Sequence, residues 1–134
     1  MRDITKSWVE FAIRDLKAEE ELLGDDFLAN IVLFHSQQSV EKLTKALLEE
    51  YLLSIPRVHS IKTLSFKLPD EIRESIFSNG DEINLLDDIY INERYPSELG
   101  ILPDGFPSSE RAKKIFYISK NLCDKILNHL GYIQ

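Results

Sequence analysis

Cysteine occurs once, at Cys123, and a lone thiol excludes an internal disulfide framework of the kind that holds small secreted domains together. No apolar run approaches the ~18 residues that a membrane span needs. The opening stretch "MRDITKSW" lacks the apolar core of a signal peptide. These absences lead to the expectation of a soluble, cytoplasmic protein. Excess positive charge is missing too: the formal net charge is −7, which disfavours non-specific binding to nucleic acid. One local exception lies between Glu110 and Lys125, where Arg111, Lys113, Lys114, Lys120 and Lys125 outnumber Glu110 and Asp124. Glu19, Glu20, Glu21, Asp25 and Asp26 make the first third acidic.

Chemical signatures are equally sparse. There is no glycine-rich phosphate loop and no G-x-S-x-G. Carboxylate-bridged metal sites in helical bundles use Glu-x-x-His, and the chain has none. His35, His59 and His129 are scattered without metal-spaced partners, so no metal and no cofactor is expected. Cys123 falls on an apolar helical stripe and reads as a core residue.

What the chain has is helical periodicity. The 134 residues, 43% of them apolar, suffice for one domain, residues 1–134, with one core. No alternating strand pattern persists and no long repeat appears. Ile4, Trp8, Phe11, Ala12, Leu16 and Leu22 follow i, i+3, i+4 spacing. Gly24 can close that helix, and Asp25 or Asp26 can cap the next. The second helix is predicted from about Phe27 to Leu53, with Leu33, Val40, Leu43, Leu47 and Tyr51 on one stripe. His35, Gln38, Glu41, Lys42, Lys45 and Glu49 fall on the opposite side. Gln37 and Thr44 flank the stripe beside Leu48, and Gln37 is the polar residue expected to be most buried.

After Pro56, Ser60 can cap a short helix that stops near Pro69, and a weaker helical stretch runs to about Phe77. "SNGD" reads as a turn, with Asp81 capping a helix that carries Ile83, Leu86, Ile89 and Tyr90 and ends at "ERYP". Residues 96–107 hold three of the five prolines and two of the five glycines, so they form a long loop. Ser108 then caps a last helix with Ala112, Ile115, Phe116, Ser119, Leu122, Cys123, Ile126, Leu127 and Leu130 on one stripe. The fold class is all-α, an up-and-down bundle of four to five helices, with the first two antiparallel across their short turn.

Some polar residues sit in apolar places. Asp15 lies near the centre of the first helix's stripe, with Glu19 one turn later. A buried carboxylate needs partners or a proton. Counting equal distances from the turn places Asp15 at the level of residues 35–38, with Ser36 or Gln37 as hydrogen-bond donor. The alternative is that Asp15 rides the stripe's edge and reaches water. A buried polar network of Asp15, Gln37, Gln38 and Glu41 is therefore expected. His59 could cap, bind or be exposed. Arg94 and Tyr95 stand where a helix meets the long loop. Arginine offers a planar fork of donors for a carboxylate or phosphate, and tyrosine a stacking face and a hydroxyl. The alternative for Arg94 is an internal pairing with Asp15 or Glu41.

In order and spacing these segments resemble the small prokaryotic HEPN domains, named for nucleotide binding in higher eukaryotes and prokaryotes. The matching stretches are "WVEFAIRDLKAEEELL" at 8–23, "FHSQQSVEKLTKALLEEYL" at 34–52, the histidine of "PRVHSIKTL" and "YINERYP" at 90–96. A W-x3-A-x2-D-L signature falls on Trp8, Ala12, Asp15 and Leu16. A second, QQ-x2-EK-x2-KA, falls on Gln37, Gln38, Glu41, Lys42, Lys45 and Ala46. The resemblance implies a helical bundle, commonly homodimeric, often partnered with a minimal nucleotidyltransferase and sometimes half of a toxin–antitoxin pair. RNase members carry arginine, four to six residues, then histidine. No arginine here fits: Arg94 is followed by no histidine in range, and Arg57 is too close to His59. The chain resembles the variety bearing RYP instead. The expectation is a binding module without catalysis of its own, for a nucleotide-like ligand or a nucleotidyltransferase partner, using Arg94, Tyr95, His59, Lys42 and Lys45. The alternative is a metal-independent RNase or toxin, for which Arg94 with His59 is the candidate pair.

Overall fold

The computed structural model describes residues 1–92 and 105–132. Among them are six α-helices and no strand: α1 (Asp3–Leu22), α2 (Ala29–Glu50), α3 (Ile61–Ser65), α4 (Asp70–Ile76), α5 (Gly80–Asn92) and α6 (Ser109–His129). The all-α bundle stands as expected. α1, α2, α5 and α6 are its long members, and α3 and α4 are short additions.

The turn between α1 and α2 has a local cause for each step. Gly24 takes φ +98°, a left-handed conformation that favours glycine. The Asp25 carboxylate then accepts a hydrogen bond from the Phe27 amide at 3.0 Å and starts a short 3-10 turn, Asp26–Leu28. α2 therefore begins at Ala29, two residues later than the periodicity predicts. It also ends earlier, at Glu50 and not Leu53. The Leu52 amide bonds the Glu49 carbonyl and the Leu53 amide bonds the Leu48 carbonyl, a Schellman closure that forces Leu52 to φ +58°.

α2 runs through the middle of the molecule, packed against α1, α3, α5 and α6. Arg2 at the start of α1 donates from Nη1 to the Glu49 carbonyl at the end of α2, which fixes the two as antiparallel neighbours. Two contacts align α6 with α2 in the same direction. The Ser109 amide donates to Asp26 Oδ1 at 2.9 Å where both helices start, and Tyr51 stacks on His129 where both end. The core follows α2, with Leu33, Val40, Leu43, Leu47 and Leu48 meeting Val9, Ile61, Leu64, Leu86, Ile115, Leu122 and Ile126.

The buried face of α1 is rotated from its predicted stripe. Thr5, Val9, Ala12, Asp15, Leu16 and Glu19 are buried, while Ile4 and Phe11 are 45% and 62% exposed. Ala12 lets α1 approach α2 closely, and the larger apolar residues stand at the seam's edge. The caps sort similarly. Ser60 and Ser108 cap α3 and α6 as expected, accepting from the Thr63 and Arg111 amides. Asn79, not Asp81, caps α5: its side-chain oxygen accepts from the Glu82 amide at 3.2 Å, which places Asp81 inside the first turn. α3 has a second, long-range cap. Asp87 of α5 accepts hydrogen bonds from Ser60 Oγ and from the Ile61 and Lys62 amides.

Candidate functional site

A polar stripe runs along α2 through His35, Gln38, Glu41, Lys42 and Lys45, spaced at three, four and seven residues so that they share one side of the helix. The sequence places this side opposite the apolar stripe. The structure covers much of it with α1 and with the chain around His59, so Glu41 is 3% exposed. Two carboxylates organise it.

The first is Asp15 of α1. It meets the predicted level of α2 but through other residues: Lys42 Nζ donates to Oδ2 at 2.7 Å, and His35 Nδ1 lies 2.7 Å from Oδ1. Ser36 and Gln37, the expected donors, face elsewhere. Ser36 Oγ donates to Glu19 at 2.6 Å, and Gln37 turns to Glu41. A lysine can reach Asp15 because its long stem spans the seam while its ammonium sits over the Phe11 ring, 5.9 Å from the centroid.

The second is Glu41. Gln37 Nε2 donates to its Oε1 at 3.0 Å, Lys45 Nζ to its Oε2 at 3.0 Å, and His59 Nδ1 lies 3.3 Å from Oε2. Gln37 also donates to the His59 carbonyl and accepts from Gln38, so Gln37, Gln38 and Glu41 share one cluster, while Asp15, expected in the same network, is held in a separate one by His35 and Lys42. Lys45 lies over Trp8, 5.6 Å from the ring centroid. His59 lies flat on Tyr90 of α5, with centroids 4.4 Å apart and planes 20° apart.

The charges decide what these groups can do. Two carboxylates face two ammonium groups, so neither Lys42 nor Lys45 is a spare positive charge. Each histidine instead turns Nδ1 to a carboxylate, which orients its ring. The His59 side chain is 48% exposed and that of His35 25%. Arg94 and Tyr95 lie outside the described residues, as do residues 96–104 of the predicted loop. No group of metal-ligating side chains gathers among the described residues.

Sequence reasoning put Glu19 on the same line as Asp15 but gave it no partners and left it out of the expected network. Glu19 is fully buried where α1, α2 and α6 meet, near Ser36, Ser39, Ser119 and Cys123. Burial pushes its carboxyl up to about 8, against the opposing pull of the Ser36, Ser39 and Ser119 hydroxyls. The same burial raises the Cys123 thiol to about 12, so it is an inert core residue as expected. The signal for Glu19 was its place one turn beyond Asp15 on the same line; the three serines around it carry no pattern of their own. Nor did anything local point to Trp8, Phe11 and Tyr90 flanking the two clusters.

No helix among the described residues is long and apolar enough to cross a membrane. No curated protein matches the chain. The crystal structure of an archaeal HEPN homologue has a similar fold, with a TM-score of 0.69 at 23% identity over 96% of this chain and 98% of that one. The family model for the HEPN domain matches residues 5–130, and the chain belongs to that family.

Proposed function

We infer that this HEPN domain is a binding module without chemistry of its own, presenting the Glu41–His59 cluster to a nucleotide-like ligand, to a partner minimal nucleotidyltransferase or to both, and acting as a homodimer. The observation that carries this is His59. Glu41 holds one ring nitrogen, Tyr90 supports one ring face, and the side chain remains 48% exposed. A ring held on two sides loses little freedom when it accepts a further hydrogen bond, the condition for an efficient ligand contact. Arg94 and Tyr95 follow Tyr90 by four and five residues and are assigned to the same ligand, the arginine to phosphate or carboxylate and the tyrosine to stacking. Lys42 and Lys45 act by positioning Asp15 and Glu41. The absence from the sequence of arginine spaced four to six residues before histidine supports a non-catalytic role. A panel of nucleotides tests the ligand: one at a hundred-fold excess over its Kd adds about 2.7 kcal/mol of stability, and Arg94→Ala and His59→Ala remove the effect. If no nucleotide raises the melting temperature, the ligand part of this reading falls.

One observation keeps the RNase or toxin alternative in view. A carboxylate on one nitrogen of a half-exposed histidine, as Glu41 is on His59, is how general bases are oriented. Cleavage of generic RNA in the presence of chelator, lost in His59→Ala, is the result that favours it; intact RNA favours the binding module.

A further inference from the structure

Where α1, α2 and α6 meet, a polar layer separates two apolar clusters. On the side of the α1–α2 turn, Leu22, Leu23, Ala29, Val32, Ala112 and Phe116 form a small cluster of their own. On the other side lies the main core, which includes Leu16, Val40 and Leu122. Each helix passes from one to the other through polar residues. Glu19 stands between Leu16 and Leu22 in α1, Ser36 and Ser39 between Val32 and Val40 in α2, and Ser119 between Phe116 and Leu122 in α6. All four are 0% exposed.

This layer is poor in donors for a carboxylate. The Ser36 hydroxyl has one proton for two acceptors, Glu19 Oε1 at 2.6 Å and the Val32 carbonyl at 2.8 Å. Ser39 Oγ donates to the Ser36 carbonyl and lies 3.0 Å from Ser119 Oγ. Glu19 Oε2 is buried without a hydrogen-bond partner among the described residues. The ionisable neighbours do not compensate. On α1 Asp15 adds a second negative charge one turn away, and Glu20 is exposed. On α2 His35 and Lys42 are engaged with Asp15, and on α6 Lys120 pairs with Asp124 while Cys123 is a buried thiol. The layer therefore suits the neutral acid, in line with the raised carboxyl described above.

An ionised Glu19 needs water, and the helix that yields is the one least tied to α2. α1 is held by the Asp15 contacts to Lys42 and His35 and by Arg2 on the Glu49 carbonyl. The first half of α6 has the small cluster behind it, the Ser39–Ser119 hydroxyl pair at the layer and the Ser109–Asp26 hydrogen bond at its start. A segment with few buried apolar partners opens at the lowest cost. We propose that Glu19 is a proton-operated latch: its neutral form closes the layer, and its ionised form releases residues 109–119 of α6 from the α1–α2 hairpin while the main core stays shut. The latch is independent of any ligand at His59.

Cys123 reports the opening. It is the chain's one thiol, fully buried, and donates to Ser39 Oγ at the edge of the layer. A small maleimide reaches it only through an opening, and where reclosing outruns labelling the rate follows the open fraction. Labelling of the full chain is measured between pH 5.5 and pH 7.5, with Glu19→Gln alongside. Both proteins gain about tenfold per pH unit from the thiolate. The parent should gain about a further tenfold per unit, because the open form releases one proton. Its rate should depend only weakly on low urea, as an opening that exposes little surface does. Equal pH slopes for the two proteins overturn the latch. A urea dependence as steep as that of whole-chain unfolding also overturns it, because α6 then has no opening of its own. If Glu19→Gln does not fold, the carboxyl carbon resonance of Glu19 in the parent decides: the acid form at pH 6.5 supports the latch, and a carboxylate there overturns it.

Discussion

Lys42 of α2 reaches across the hairpin to Asp15 of α1, with Nζ 2.7 Å from Oδ2. The residue is 6% exposed, and among the described residues this ammonium and His35 are the charged or polar groups that balance its desolvation. Removing the carboxylate leaves both partners partly buried and uncompensated. Asp15→Ala should therefore cost about 2–3 kcal/mol in urea unfolding. Lys42→Met, which keeps the stem against Phe11, should cost about 1 kcal/mol, because the ammonium is partly hydrated. A double-mutant cycle should return about 1 kcal/mol of coupling. Additive losses would mean that the two residues act separately.

Glu19 makes stability depend on pH. Its carboxyl is raised from 4.5 to about 8, so between those values the folded chain holds a proton that the unfolded chain releases. Stability from this source is complete below about pH 4.5, declines as pH rises and is gone above about 8. Glu19→Gln keeps the shape and cannot ionise. Compared at pH 5 and pH 8, the variant should lose less stability than the parent, by on the order of 3 kcal/mol. Parallel pH curves for the two proteins would show that Glu19 does not titrate in this window.

Leu52 carries the left-handed turn that ends α2, at φ +58° and 74% exposed. A branched side chain there is strained, and glycine is not. Leu52→Gly should raise stability by about 0.5–1 kcal/mol despite the added freedom of the unfolded chain. Destabilisation would mean that the leucine side chain contributes packing that outweighs its backbone strain.

Asp87 holds the first turn of α3 and thereby the residue before it, His59's neighbour Ser60. Asp87→Ala should speed hydrogen exchange at the Ile61 and Lys62 amides and cost about 2 kcal/mol. The same variant should broaden the His59 ring resonances, because the chain that presents His59 is no longer pinned to α5. Unchanged exchange would remove Asp87 from the account.

How much of this was legible depends on the distance over which each cause acts. The caps at Ser60 and Ser108 and the stripe of α6 from Ala112 to Leu127 are local and were read directly. The level of Asp15 against residues 35–38 followed from hairpin arithmetic alone. Its partners did not. Which of His35, Ser36 and Gln37 faces α1 depends on the rotation of α2, and Lys42 enters only because its stem is long enough. Phe11 was placed inside for a similar reason. α1 carries apolar residues over a broad arc, and the position of α2, not the spacing in α1, decides which part is covered. Glu41 was assigned to the outer side of α2, and the cover over it comes from residue 59, eighteen positions away. Side-chain clusters assembled from several helices leave no periodic trace.

The central claim is that the half-exposed His59 ring contacts a ligand, and the imidazole resonances of the three histidines report on this directly. His129 serves as an internal control, since it stacks on Tyr51 where α2 and α6 end. Titrating nucleotides into the labelled protein should move the His59 signals saturably and leave those of His129 in place. Signals that all stay still across the panel, or that all move together, would contradict the account.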